Sequence, residues 1–186
     1  MLTDVAEGLP ERAWYVAVVD SRKERLVRDQ LTQLGYEAFI ASRTEVHRWA
    51  NRQRKTVEQV LISHYVFLHA TEEERLQALK LPLIHSFLVN RSAQKTIRGT
   101  SPLAVVPDNE INLLRIMLSL PDTEVLYSPD DLTIGKQVTL IGYTQEALTA
   151  QVVKIPRSRK HYVGVRLTGL GCAYMQVPLD RIQAIL

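Results

Sequence analysis

The chain has one cysteine, Cys172, among 186 residues. An intrachain disulfide is therefore excluded, and with no Cys-x-x-Cys pair there is no zinc site of the usual spacing. No apolar run approaches the roughly 20 residues that a membrane-crossing helix needs. Residues 1–12 carry two acids within their first seven positions and no apolar core. They do not read as a signal peptide, and a cytoplasmic location is expected. No glycine loop of the phosphate-cradling kind occurs, and no carboxylate pair sits in an apolar setting. His64 and His69 are five apart, so on one strand they point to opposite faces and cannot share a ligand. Cys172, between Gly171 and Ala173, reads as a buried thiol in an apolar strand. A non-catalytic protein with no cofactor and no metal is expected. There is no internal repeat and no low-complexity tract.

What the chain does contain is ordinary in bulk and uneven in distribution. Apolar residues make up 46% and charged residues 23%, as in soluble globular proteins. The length suffices for one medium domain or two small ones, each with a core. The formal net charge of +3 says little; where the charges lie says more. Trp14 to Val19 reads as a strand. Ser21 to Gly35 reads as a helix, with Leu26, Val27, Leu31 and Leu34 at helical spacing, Ser21 as N-cap with Glu24 three residues on, and Gly35 just past the end. Ala38 to Ile40 reads as a strand and Arg43 to Lys55 as a basic hairpin or long loop. Thr71 opens a second helix as a capping box, contributing Leu76 and Leu79 and stopping before Pro82. Ile84 to Val89 is a further strand. Asp108 caps a third helix, Asn109 to Ser119, with Ile111, Leu114 and Leu118 inward. This order predicts a layered α/β sandwich of helices on a sheet.

Residues 120–132 hold two prolines and four acids without periodicity, which reads as a linker. Short apolar segments follow at regular spacing: Gln137–Ile141, Ala150–Ile155, Tyr162–Leu167, Ala173–Val177 and Ile182–Leu186. Five short strands separated by turn residues predict a small β-barrel. The expected division is thus 11–119, a linker at 120–132, and 133–186.

The most informative stretch is Val57 to Leu68, directly behind Arg52-Gln53-Arg54-Lys55. From Val60 to Leu68 only Ser63 and His64 are neither apolar nor aromatic, so a strand here is either buried on both faces or exposes an apolar strip. The cationic tip beside it suggests a surface for a polyanion. With Trp14 to Val19 and Ala38 to Ile40 upstream, these elements resemble the amino-terminal domain of the NusG family of transcription elongation factors. Leu61, Ile62, Tyr65, Val66 and Phe67 fit the family's strand, while Ser63 and His64 replace its proline and glycine. The carboxy-terminal segment resembles the family's KOW barrel through Gly135-Lys136-Gln137-Val138-Thr139-Leu140 and Gly142. Ala147 and Ala150 stand where further glycines would be, and Ala150-Gln151-Val152 replaces the usual glycine, any residue, valine. Alanine avoids positive φ, so this turn cannot copy a glycine-dependent conformation. Val106 to Ile111 is similar to the UpxY group, and the whole looks most like specialised paralogues of the UpxY, RfaH and LoaP types.

The resemblance implies an α+β fold: a NusG amino-terminal-type sandwich, an antiparallel sheet flanked by helices, followed by a small SH3-like, KOW-type barrel. It also implies a transcription elongation and antitermination factor that suppresses pausing and termination on a long operon, such as one for surface polysaccharide. Tyr15, Ile62, Tyr65 and Phe67 would grip the RNA polymerase clamp helices. Arg22, Lys23, Arg25, Trp49, Arg52, Arg54 and Lys55 would meet the non-template DNA strand, with Trp49 either stacking on a base or anchoring the hairpin. Lys154, Arg157, Arg159, Lys160 and His161 crowd one turn of the barrel with no acid between them. That tip would meet nascent RNA, a ribosomal protein or Rho, or is simply a solvated loop. A monomer without membrane attachment is expected. The competing reading is a ribosome-associated or general RNA-binding protein with a barrel and no polymerase role.

Overall fold

The computed structural model describes residues 12–48, 54–96, 99–120, 123–129, 132–143 and 148–184. In chain order the elements are β1 (Ala13–Val19), α1 (Glu24–Gln33), β2 (Glu37–Phe39), β3 (Ser42–Arg48), β4 (Arg54–Val60), β5 (Tyr65–Ala70), α2 (Glu72–Ala78) and β6 (Ile84–Phe87). There follow β7 (Val105–Val106), α3 (Asp108–Ser119), β8 (Val125–Ser128), β9 (Thr133–Leu140), β10 (Leu148–Lys154), β11 (Tyr162–Leu167), β12 (Gly171–Gln176) and β13 (Ile182–Ala184), with a 3-10 turn at Leu179–Arg181 before the last. Two units result: Met1–Ile40 with His64–Pro107, and Ala41–Ser63 with Asp108–Leu186. This differs from the division at 120–132, because hairpin β3–β4 and helix α3 cluster with the carboxy-terminal strands.

The first unit is an antiparallel sheet in the order β2-β5-β1-β6, with β7 also on β1. Alanine, valine and aromatic residues fill β1, so it has no charged side chain to direct outward, and all but Val18 are buried. Such a continuous apolar strand must be covered on both faces. Helix α1 begins later than its sequence suggests. Its N-cap is Lys23, with no side-chain cap, and Ser21 lies outside the helix. Val27 and Leu31 are fully buried, but Leu26 and Leu34 are exposed, so the apolar stripe is narrower than expected. Gly35 ends the helix at φ +86°, the left-handed conformation that glycine adopts without strain. The Thr71 capping box forms as predicted: Thr71 accepts from the Glu74 amide and Glu74 accepts from the Thr71 amide. On α2 the inward residues are Arg75 and Ala78, while Leu76 and Leu79 face solvent.

The second unit holds the two-stranded hairpin β3–β4, helix α3, and a six-stranded antiparallel sheet in the order β13-β9-β10-β11-β12-β8. The sheet has two free ends, since β13 pairs only β9 and β8 pairs only β12 among the described residues. A closed barrel is therefore not seen. Part of the expected linker is strand: Val125, Leu126, Tyr127 and Ser128 pair with β12. Val163, Leu167, Ala173 and Met175 are fully buried. Helix α3 buries Ile111, Leu114 and Leu118, as its spacing predicts, along with Leu113 and Met117.

The stretch from Val60 to Leu68, read as one strand, is interrupted. Strand β4 ends at Val60 and β5 starts at Tyr65. Between them His64 adopts φ +72°, a conformation costing about 1–2 kcal/mol for a residue with a β-carbon. Two bonds hold it there. The His64 amide donates to Glu24 Oε1 at 2.8 Å, and its carbonyl accepts from the Val19 amide at 2.9 Å. Glu24 is only 2% exposed, so the first turn of α1 braces the turn before β5. His64 stands where the resembling family has glycine, and it takes the backbone conformation glycine favours. His64→Gly is expected to leave stability unchanged or raise it by up to about 1 kcal/mol, as relief of strain outweighs glycine's greater unfolded-state entropy. His64→Val, being β-branched, is expected to lose about 1–2 kcal/mol. Urea melts of the two variants check both signs.

Candidate functional site

Residues paired across an antiparallel sheet share a face. Val16 and Val18 pair with Phe67 and Tyr65, whereas Tyr15 pairs with Leu68. Tyr15 therefore lies on the face opposite Tyr65 and Phe67, which corrects the expectation that the three line one surface.

On its own face Tyr15 is enclosed beneath α2. Phe87 lies edge-on at 6.2 Å between ring centroids, and the Arg75 guanidinium is 5.8 Å from the Tyr15 centroid and 5.0 Å from that of Phe87. Arg75 donates to both Glu72 oxygens, at 2.7 and 2.5 Å, and the Tyr15 hydroxyl also bonds Glu72. Burial raises the Tyr15 pKa, with the Glu72 charge acting in the same direction. The hydrogen bond from Arg75 holds Glu72 below the usual carboxylate range. On the other face Trp14 stacks on His69 at 4.8 Å, His69 Nδ1 meets Glu37 Oε2 at 3.0 Å, and Phe39 packs on Phe67 at 5.6 Å. Phe67 and Ile62 are buried; of the four residues assigned to polymerase, Tyr65 alone is half-exposed.

The basic residues divide between the units. Arg22, Lys23 and Arg25 are exposed at the start of α1 in the first unit, Arg22 at φ +70°. Arg54 and Lys55 open β4 in the second unit. Trp49, Arg52 and the side chains of Arg54 and Lys55 lie outside the described residues, as do Ala147 and the linker residues 121–122 and 130–131. Arg43 is half-buried and donates to the Leu120 carbonyl at 3.4 Å, which ties it to the end of α3.

The cationic tip is an ordered turn between β10 and β11. Arg157 sits at φ +64°, the Ser158 amide donates to the Ile155 carbonyl at 3.2 Å, and Ser158 Oγ accepts from the Lys160 amide at 3.2 Å. Lys154, Arg157, Arg159, Lys160 and His161 are all exposed, and none has an ion pair among the described residues. His64, in its turn, and His69, bonded to Glu37, do not come together. Among the described residues no group of three or more histidine, cysteine or acidic side chains is placed to hold a metal. Cys172 is buried, with Sγ 3.7 Å from the Ala173 carbonyl.

Reading the sequence missed a cleft of about 510 Å3 in the second unit, where the start of α3 meets the face of β9, β10 and β11. Glu110 enters it from α3; Gln137, Gln151 and Arg166 enter it from the strands. Glu110 accepts from the Thr168 amide at 3.1 Å and lies 3.4 Å from its hydroxyl. Nothing local signals this pairing, because residues 110 and 168 are far apart in the chain. Arg75 was equally missed, although its spacing from Glu72 marks a helical ion pair.

The family described as transcription termination factor nusG matches residues 12–115, from the residue before β1 into α3 and over more than half of the chain. No curated protein matches it. Among solved structures, one concerned with domain interaction in Thermotoga maritima NusG is 18% identical and covers 94% of this chain and 98% of that chain, with a TM-score of 0.43. The MjSpt4:Spt5 complex in conformation A is 11% identical and covers 92% of this chain and 97% of that chain, with a TM-score of 0.28. No helix among the described residues is long and apolar enough to cross a membrane.

Glu110 supplies a pH test of the contact between α3 and the sheet. Burial raises its pKa; the Thr168 bonds and the Arg166 charge oppose that rise without cancelling it. A folded-state pKa above the unfolded one favours the folded protein at low pH, and the gain is lost as pH climbs through the folded value. Relative to Glu110→Gln, whose amide oxygen can still accept from Thr168, the parent should be favoured below about pH 4, the ordinary glutamate range. It should lose ground as pH rises. Denaturant midpoints of both proteins across a pH series check the sign.

Proposed function

This chain belongs to the NusG family of transcription factors, and from that membership we propose that it acts in elongation by binding RNA polymerase through its first unit. The observation that carries this reading is the family match across 12–115, which takes in every strand of the first unit's sheet. The partner surface is the clamp helices, engaged at the edge where Tyr65 is open. Arg22, Lys23 and Arg25 at the start of α1, with Arg52, Arg54 and Lys55 at the hairpin tip, contact the non-template DNA strand. The outcome is suppression of pausing and termination, on a specific long operon as in the specialised paralogues. The carboxy-terminal sheet takes the role of the family's KOW domain, and its tip meets nascent RNA, a ribosomal protein or Rho. The protein works as a cytoplasmic monomer without cofactor.

One observation favours the second reading, a ribosome-associated or general RNA-binding protein. Tyr15, Ile62 and Phe67 are 3%, 1% and 0% exposed, so they offer a clamp helix little to grip. A pull-down of polymerase subunits with the full chain separates the two. Under the polymerase reading Tyr65→Ala should weaken capture by roughly 1–4 kcal/mol, as hot-spot truncations do, with little change in melting temperature. Phe67→Ala should instead cost about 3–5 kcal/mol of stability, as in a core. Failure of the parent protein to capture polymerase would leave the RNA-binding reading.

The basic residues give a second test. Neutralising Arg52, Arg54 and Lys55 together should reduce single-stranded DNA crosslinking in the elongation complex and flatten its salt dependence, since fewer counterions are released. Polymerase capture should be unchanged. Crosslinking that persists across a salt series would make these side chains solvated charge only.

A further inference from the structure

We propose that the outer face of β11 and β12, with the cationic tip at its edge, is a docking strip for single-stranded RNA. This deepens the reading in which the tip meets either RNA or a protein partner, and it assigns the residues that would read bases.

The tip runs directly into β11, whose first residue is Tyr162. Tyr162 pairs with Gln176 and Gly164 pairs with Tyr174, so Tyr162, Tyr174 and Gln176 share one face. The two tyrosine rings lie 5.7 Å apart at 84°, each half-exposed. Gly164 makes room for this pair. A β-carbon there would lie 2.9 Å from Tyr174 Cβ and 2.3 Å from the Ala173 carbonyl oxygen, so any other residue would displace the strand that carries Tyr174. The β10–β11 strand register also places Gln151 opposite Gly164, and from there the same face leads into the cleft beside Arg166 and Gln137. The Val177 amide donates to the His161 carbonyl at 3.0 Å, which fastens the base of the tip to the end of β12.

Three kinds of group thus follow one another along one surface. Unpaired cations suit phosphates, partly open aromatic rings suit base faces, and amides in a cleft suit base edges or a ribose hydroxyl. A duplex keeps its bases stacked on one another and would leave the tyrosines idle, so the strip fits a single strand. The amides of Gln176, Gln151 and Gln137 offer both donors and acceptors, which favours ribose over deoxyribose. An acidic protein would need the cations but not the tyrosine pair.

The test uses the full chain and a fluorescein-labelled, mixed-sequence single-stranded RNA of about 12 nucleotides, within the span of small single-strand modules. Binding is followed by anisotropy over a salt series. Tyr162→Leu, which keeps apolar bulk, should weaken binding roughly tenfold, and Tyr162→Phe should restore it, since a stacked base depends on the ring. Replacing Arg157, Arg159 and Lys160 with serine should lower the slope of log affinity against log salt by about 2, at roughly 0.7 per phosphate contact on a single strand. These three residues are exposed, so that arm stands even if a Tyr162 variant folds poorly. The proposal is overturned if Tyr162→Leu binds like the parent, if duplex RNA binds as well as the single strand, or if DNA of the same sequence binds as tightly. It also fails if poly-glutamate binds with the same dependence on Tyr162, which would make the strip a protein surface. The assay contains no polymerase, so its failure leaves the clamp reading untouched.

Discussion

Strand β1 has to be covered on both faces, and the first unit is arranged around that requirement. Three of the other four strands of its sheet hydrogen-bond to β1, and only β2 reaches the sheet through β5. With no charged side chain between Ala13 and Val19, β1 cannot leave a face in water without losing about 25 cal/mol for each Å2 of apolar surface exposed. Covering both faces leads to the closed network of Tyr15, Arg75, Glu72 and Phe87 on one side and to the packing of Trp14, Phe39 and Phe67 on the other. The aromatic residues that would make an attractive gripping surface are consumed by this interior. What remains for a partner lies at margins, of which half-exposed Tyr65 at the start of β5 is one.

Local signals in the sequence predict their structures well, and signals that depend on distant backbone do not. The Thr71 box is legible because its two hydrogen bonds join residues three apart, so no tertiary context decides them. Helix α3 is legible for the same reason, its inward residues repeating at helical spacing. The break at His64 is hard to read because positive φ is uncommon in any non-glycine residue, histidine's enrichment there included. It is stabilised by Glu24, forty positions upstream, whose own sequence role as the partner of Ser21 is thereby pre-empted. Leu76 and Leu79 mislead for a related reason. Residues of α2 that reach Tyr15 and Phe87 must be long and charged at the tip to meet Glu72, and Arg75 satisfies that while leucine does not.

In the second unit the contrast repeats. The cationic tip is visible in sequence because its residues are contiguous. The tyrosine pair is not, since Tyr162 and Tyr174 come from different strands and meet only through the β11–β12 register. Strand β8 is hidden within an acidic, proline-flanked segment because four residues are too few to show alternation. Its pairing is settled by β12, which buries Ala173 and Met175 while offering a free edge. Gly169, in the turn between β11 and β12, and Gly171, which opens β12, take positive φ. Gly142, after β9, also takes positive φ.

Charge balance points to where a polyanion would be met. In the first unit several basic side chains are answered by acids: Arg12 by Glu74, Arg75 by Glu72, and His85 by Asp20. Such pairs shorten the reach of each charge, because a neighbouring anion cancels most of its field within a Debye length of about 8–10 Å. At the tip of the second unit the opposite holds, with Lys154, Arg157, Arg159 and Lys160 crowded and unpaired among the described residues. Like charges so close repel one another and destabilise the compact turn unless a partner neutralises them. The turn is nonetheless held by specific bonds through Ser158 and at His161. An ordered backbone presenting uncompensated charge is what a binding edge requires, since little further ordering is left for the partner to impose.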